Sequence, residues 1–130
     1  MTDAIPGPPV TPADDQLRQA ICRFAAHRSM WVFRDQFPIR SDLPAVSLSE
    51  GGTPLIRSRM FPAIELHWKD ETRNPTGSHK DRALALASTH ALQLGARVMA
   101  VASAGSTGLS CAAYSARAGL PSVILVLLFA

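Results

Sequence analysis

From about residue 64 onward the chain predicts an α/β fold, the N-terminal part of a mostly parallel sheet with helices on its faces. Three observations carry this. Residues 98–102 and 123–126 are short, continuous apolar runs, the pattern of strands buried on both faces of a parallel sheet. Between and before them lie two helical stretches, each followed by a glycine where a C-terminal cap belongs. Prolines, which break both kinds of element, are concentrated elsewhere: eight of the ten precede residue 63.

In chain order, residues 1–10 carry Pro6, Pro8 and Pro9 and read as a flexible tail. Thr11, Pro12 and Asp14 then resemble an N-cap, an N1 proline and an acidic N3 residue. Leu17, Ala20, Ile21, Phe24 and Ala25 follow at helical spacing, so a helix is expected over about 12–28. Residues 31–62, with Pro38, Pro44, Pro54, Pro62 and the Gly51-Gly52 pair, suit turns and short extended pieces. Ile64, Leu66 and Trp68 alternate with Glu65, His67 and Lys69, as in a strand with one polar face. Residues 70–77 form a loop, and 78–94 a helix supported by the alanine-leucine run 83–87 and ended by Gly95. A strand at 98–102, a small-residue turn at 103–107, a helix at 108–118 capped by Gly119 and a strand at 123–126 complete a β-α-β-α-β order.

Composition limits the function classes. The 130 residues suit one modest core, and 47% hydrophobic with 18% charged residues exclude a disordered chain. Net charge is +3 and the 13 basic residues are scattered, so no nucleic-acid footprint is indicated. The longest apolar run, 123–130, is far below the ~20 residues a membrane span needs. The first ten residues lack the cationic start and apolar centre of a leader, which points to the cytosol. Cys22 and Cys111 are too far apart for a Cys-x-x-Cys pair, and His27, His67, His79 and His90 show no ligand spacing, so no metal is expected.

In a parallel α/β sheet, ligands collect beyond the carboxyl ends of the strands, where helix N-termini direct free N–H groups at the solute. Two segments hold that position: Asn74-Pro75-Thr76-Gly77-Ser78-His79-Lys80-Asp81-Arg82 and Ser103-Ala104-Gly105-Ser106-Thr107-Gly108. A cation such as Lys80 in a first helical turn opposes the helix dipole, at a cost of ~0.3–1 kcal/mol. A local rule broken in this way marks a candidate site. The same field eases loss of a proton, and a neutral lysine amine can form a Schiff base with a carbonyl. The plainer alternative is an ion pair of Lys80 with Asp81 or Asp70. The small residues of the 103–107 turn would let its backbone approach a carboxylate or phosphate, with serine and threonine hydroxyls as further donors; a simple capped turn is the alternative. His79 is expected to be a surface or packing residue, and Trp31, Trp68 and Tyr114 core or boundary aromatics.

Taken in order, these segments resemble the pyridoxal-phosphate enzymes of the tryptophan synthase β-chain type, most closely their threonine synthase branch. The resemblance covers about residues 30–126: Trp31 to Arg34 with Pro38, then Ser47-Leu48-Ser49-Glu50-Gly51-Gly52-Thr53-Pro54-Leu55, Lys69-Asp70-Glu71, Asn74 to Arg82, and Ser103 to Leu120. It implies pyridoxal 5′-phosphate as cofactor, with Lys80 joined to it as a Schiff base and moving protons at the substrate carbons. It also implies that Ser103, Ala104, Gly105 and Thr107 grip a substrate carboxylate. Ser106 stands where the family has an asparagine that hydrogen-bonds the cofactor ring, and His79 where phenylalanine is commoner.

The implied activity is conversion of O-phosphohomoserine and water to threonine and phosphate. A threonine or serine dehydratase shares the lysine motif and the turn, but the Glu-Gly-x-Thr-Pro-Leu segment and the Lys-Asp-Arg triplet favour the synthase. The family's glycine-rich phosphate cradle and its partner for the pyridine nitrogen would lie beyond residue 130. The expected organisation is therefore a tail (1–10), an N-terminal helix and irregular segment (11–45) and an incomplete enzyme domain (46–130), arising by truncation, frameshift or fragmentation. In isolation such a chain is expected to be inactive. It could also be a non-catalytic remnant that needs a partner chain, with self-association through the apolar C-terminal strand.

Overall fold

A computed structural model describes residues 29–127, together with Gln16 and Gln19. The expected tail (1–10) and nearly all of the helix expected at 12–28 lie outside these residues.

The first described element is a 3-10 helix, η1 (Met30–Gln36), started by Ser29, whose hydroxyl accepts the Trp31 N–H at 3.3 Å. Two three-residue strands follow, β1 (Leu55–Arg57) and β2 (His67–Lys69), paired antiparallel with Ile56 opposite Trp68. A short 3-10 turn, η2 (Glu71–Arg73), is capped by the Asp70 carboxylate and leads to helix α1 (Lys80–Gln93). Strand β3 (Met99–Ala102), helix α2 (Ser106–Ala118) and strand β4 (Ser122–Leu125) form a β-α-β unit in which β3 and β4 are parallel.

The α/β class and the two glycine-ended helices stand as the sequence predicts. Gly95 and Gly119 adopt φ of +72° and +70°, the left-handed region that glycine enters without a Cβ penalty. Each closes its helix: the Ala96 N–H returns to Ala91 O and the Leu120 N–H to Ser115 O, both at 2.9 Å. The first strand is placed differently. The alternating segment near residues 64–68 contributes only His67–Lys69, and this pairs antiparallel with β1 instead of joining β3 and β4. The alternation correctly marks an extended piece. Which strand it pairs with depends on the distant Pro54–Arg57 segment, and the period of two carries no information about that partner.

The core lies between the helices. On α1 the buried stripe is Asp81, Leu84, Ala85, Ser88 and Thr89; on α2 it is Gly108, Ser110, Cys111, Tyr114 and Ser115. Both follow the three-to-four residue spacing of a helix face. Most of these side chains are small, which lets the two backbones come close. Residues 46–53 drape across the pair. Thr89 Oγ1 accepts the Val46 N–H at 2.9 Å, and the Arg117 side chain donates to Ser47 O at 3.0 Å. Met30 joins the same core, and its N–H bonds Glu50 O at 3.0 Å. Gly51 makes this junction possible: its φ is +102°, and a Cβ there would stand 2.5 Å from Met30 N.

Candidate active site

Lys80 is the first residue of α1, and its backbone N–H bonds Ser78 Oγ at 3.2 Å. Its side chain is half-buried, yet its amine has no hydrogen-bond or ion-pair partner among the described residues. The surface pairing with Asp81 or Asp70 does not form. Asp81 points inward and is fully buried, and Asp70 is spent on capping η2, accepting from the Thr72 N–H and hydroxyl. Lys69, the other lysine, donates to the carbonyl of Thr53. The two amines therefore differ in kind: one is committed to the fold and one is unspent.

The motif residues around Lys80 explain how its position is held. Asp81 Oδ2 accepts the Thr76 N–H at 2.7 Å, while Oδ1 accepts the hydroxyls of Thr76 and Ser110, both at 2.5 Å. Arg82 makes a two-pronged pair with Glu71, at 2.8 and 2.9 Å, and reaches Thr53 Oγ1 at 3.1 Å. Glu71 also accepts from Thr53 Oγ1 at 2.6 Å and from Asn74 Nδ2 at 2.9 Å. The Arg82 guanidinium, helped by Thr53 and Asn74, holds the Glu71 carboxyl down at about 2, against an ordinary 4.5. Asn74 Oδ1 in turn accepts the Gly51 N–H at 3.0 Å, which joins the Glu-Gly-Gly-Thr segment to the lysine loop.

A second buried acid anchors the other side. Glu50 accepts from Leu48 N at 2.9 Å, from the Tyr114 hydroxyl at 2.8 Å and from the Trp31 indole N–H. Burial, and then the bond to Glu50, push the Tyr114 hydroxyl pKa well above the usual tyrosine range. Tyr114 and Trp31 are thus core or boundary aromatics as expected, whereas the Trp68 ring is exposed. Sequence reasoning missed Glu50, Glu71, Asn74, Asp81 and Arg82 as a network. The available signal was that five polar residues fall inside three motif segments with no obvious solvent role.

The Ser103–Thr107 turn occupies the mouth of α2. Ser103 N–H continues the β3–β4 ladder to Leu125 O, and its hydroxyl accepts the Gly105 N–H at 3.1 Å. Gly105 is the N-cap of α2 and supplies no side-chain cap, so the serine of the plainer alternative closes the turn through Ser103 but does not cap the helix. Ala104, Gly105 and Ser106 are exposed, and Ser103 and Thr107 half-buried. The first N–H groups of a helix lack carbonyl partners within it, which leaves the Ser106 and Thr107 N–H groups available to an anion. A Cβ on Gly108 would meet Ser103 O at 3.2 Å and Ile124 at 3.1 Å, so this glycine lets the mouth seat tightly on β4.

The structure thus places Lys80 and the turn at the N-termini of two helices packed side by side and bonded through Asp81 and Ser110. A cleft of about 500 Å³ opens nearby, between Ile56 and Trp68 of the strand pair and the Gly77–His79 turn. Neither Lys80 nor the 103–107 turn lines it. His79 is exposed at its rim, as a surface residue should be. Among the described residues no group of three or more His, Cys, Asp or Glu could hold a metal ion, and no helix is long and apolar enough to cross a membrane.

The residues present fit the reactive end of pyridoxal phosphate. An unpartnered, half-buried amine suits an aldehyde, and an open turn with unspent N–H donors suits an acid group. Comparison with known proteins agrees. The family described as "Pyridoxal-phosphate dependent enzyme" matches residues 46–127. The chain is similar to proteins named threonine synthase: 44% identical to that of Mycobacterium leprae over 98 residues, covering 73% of this chain and 27% of that protein. It is 42% identical to the one from Methanocaldococcus jannaschii over 101 residues, 75% and 25% of the two chains. Against that of Synechocystis the identity is 32% over 133 residues, 97% of this chain and 34% of the relative. The chain spans between a quarter and about a third of the length of these relatives.

Proposed function

The chain belongs to the pyridoxal-phosphate dependent enzymes, and from that premise we propose that it carries the lysine mouth and the carboxylate turn of a threonine synthase-type site. The substrates of that reading are O-phosphohomoserine and water, and the products threonine and phosphate. The observation that carries it is Lys80: a half-buried lysine in a first helical turn, its amine unspent among the described residues, beside a network that engages Asn74, Thr76, Asp81 and Arg82 of the same motif.

In this reading Lys80 Nζ binds the cofactor aldehyde and afterwards takes and returns protons at the substrate carbons. When bound, pyridoxal phosphate supplies an electron sink for charge developing next to the substrate nitrogen. Ser106 would offer its hydroxyl as a hydrogen-bond donor to the cofactor ring. Ser103, Ala104, Gly105 and Thr107 line the place for the substrate carboxylate, with the Ser103 and Thr107 hydroxyls and the free N–H groups at the start of α2 as donors, aided by the positive end of that helix. The division into tail (1–10), N-terminal segment (11–45) and enzyme domain (46–130), a small-molecule substrate, no nucleic-acid partner and a cytosolic location belong to the same proposal.

The test uses the two lysines. Incubation with pyridoxal phosphate, borohydride reduction and peptide mass spectrometry are expected to find the pyridoxyl group on Lys80 in preference to Lys69, and Lys80→Ala to abolish that adduct. Equal labelling of the two lysines would refute the reading. Phosphate release from O-phosphohomoserine distinguishes it from a dehydratase, which would release ammonia from threonine.

A second reading, a remnant that completes its packing only against a partner chain or a second copy, is favoured by β4, whose four residues are all exposed. It predicts sedimentation that depends on concentration and no preference for Lys80.

A further inference from the structure

We infer that Asp81 is a positioning residue that couples the two halves of the candidate site, the lysine mouth of α1 and the anion turn of α2. The inference rests on the cofactor reading above and deepens it. Lys80 and the 103–107 turn sit on different helices, so a ligand bound by both needs those helix ends held in a fixed relation. Ordinary core contacts do this poorly here, because the α1–α2 stripe consists largely of alanine, serine, threonine and cysteine, with few large side chains to interlock.

Asp81 supplies the missing constraint. It follows Lys80 directly, is fully buried, and among the described residues has neither a lysine nor an arginine as an ion-pair partner. Among the described residues, its carboxylate bonds to two residues. Thr76 gives its N–H and its hydroxyl, which fixes the loop entering α1 just before Lys80. Ser110 gives its hydroxyl from α2, one helical turn beyond Ser106, and the Thr76 and Ser110 oxygens are themselves 2.9 Å apart. Loop, first helix and second helix therefore meet at one carboxylate. Buried, charge-assisted bonds of this kind are short and directional, whereas apolar contacts between small side chains can slide.

Two measurements separate this inference from the cofactor reading. The first needs no cofactor: amide hydrogen exchange in the full chain. Ser110→Ala, which does not touch the lysine loop in sequence, is expected to raise exchange across residues 74–80 severalfold, and Thr76→Ala to do the same across residues 105–110. Thr76→Ser keeps both donors and should restore wild-type exchange in both regions. If Ser110→Ala leaves residues 74–80 at the wild-type rate, the coupling does not exist.

The second measurement is the Lys80-to-Lys69 ratio of pyridoxyl labelling. Asp81→Asn and Ser110→Ala are expected to lower it about tenfold and Thr76→Ser to leave it unchanged. An unchanged ratio in Ser110→Ala, with exchange raised, would show that the network braces the loop without positioning the amine, and would overturn the inference. A wild-type chain that labels both lysines equally would instead overturn the cofactor reading, and the exchange data would still decide the coupling. Should Asp81→Asn fail to fold, the Ser110 and Thr76 variants carry the test alone.

Discussion

Two regions of this molecule handle their surfaces in opposite ways. Around Glu50, Glu71 and Asp81, polar side chains are buried or half-buried and bonded to one another across η1, the 46–53 segment, the lysine loop and both helices. Along β4 and the residues after it, apolar side chains face outward: Leu125 is 61% and Leu127 76% exposed. In the first region, donors and acceptors from the motif segments satisfy each other within the described residues. In the second, the hydrophobic surface expected between a strand and a covering layer has no such layer among them. Local polar bonding can thus organise a candidate site where apolar burial is only partial.

The contrast can be broken or sharpened by substitution. The largest effect is expected at Glu50. Changing it to alanine orphans the donors of Leu48, Tyr114 and Trp31, and at about 1–3 kcal/mol for each buried unsatisfied group the loss should reach roughly 3 kcal/mol or more. Urea unfolding measures it, and a loss below about 1 kcal/mol would mean that the carboxylate is not the anchor its bonds suggest.

Next come two glycines. Gly51→Ala forces a Cβ to 2.5 Å from Met30 N at a positive φ, and is expected to cost about 2 kcal/mol. Gly105→Ala, where a Cβ meets nothing within 4 Å, should change stability by less than about 0.5 kcal/mol. Equal costs at the two positions would contradict the difference in packing.

A smaller effect follows from pH. The Glu71 carboxyl is depressed to about 2 in the fold from an ordinary 4.5, so its contribution is fully present above pH 4.5 and is lost as pH falls toward 2. Arg82→Gln should flatten the stability profile over that window. The flattening should be modest, because the two side chains remain 31% and 24% exposed and solvent screens them. A profile for Arg82→Gln as steep as that of the wild type would assign the acid loss to other carboxylates.

The smallest stability effect is expected on the open sheet. Leu125→Lys should leave the unfolding midpoint within about 0.5 kcal/mol of wild type while reducing any concentration-dependent association seen by sedimentation. A large loss of stability would show that this face is packed in solution.

Much of the architecture was legible in the sequence because it rests on local chemistry. The alanine-leucine run of 83–87 and the glycines at 95 and 119 fix where helices form and stop through backbone conformational preference. The apolar runs at 98–102 and 123–126 declare strands by composition, but not the burial expected of them: β4 is exposed along its whole length and β3 is half-buried only at alternate residues. The same reading located the two helix mouths, and Lys80 stood out because a cation there opposes the helix dipole. Strand pairing was not legible: His67–Lys69 alternates as any half-exposed strand would, and its antiparallel partner is Leu55–Arg57, ten or more residues earlier. Nor could spacing show that Asp81 would turn inward to Thr76 and Ser110 when pairing with its neighbour Lys80 was equally compatible with the pattern.

The residue order alone determined the class of fold, the glycine-ended C-termini of the helices and the family, and singled out Lys80 as the candidate, since each depends on intrinsic conformational preference or on a contiguous motif. Only the tertiary structure decided which of the two lysines has its amine free, which acids are buried and what they hold. Those outcomes depend on which side chains meet across the 46–53 segment, the loop and the two helices, and a buried carboxylate is stable only where several distant donors converge on it at once.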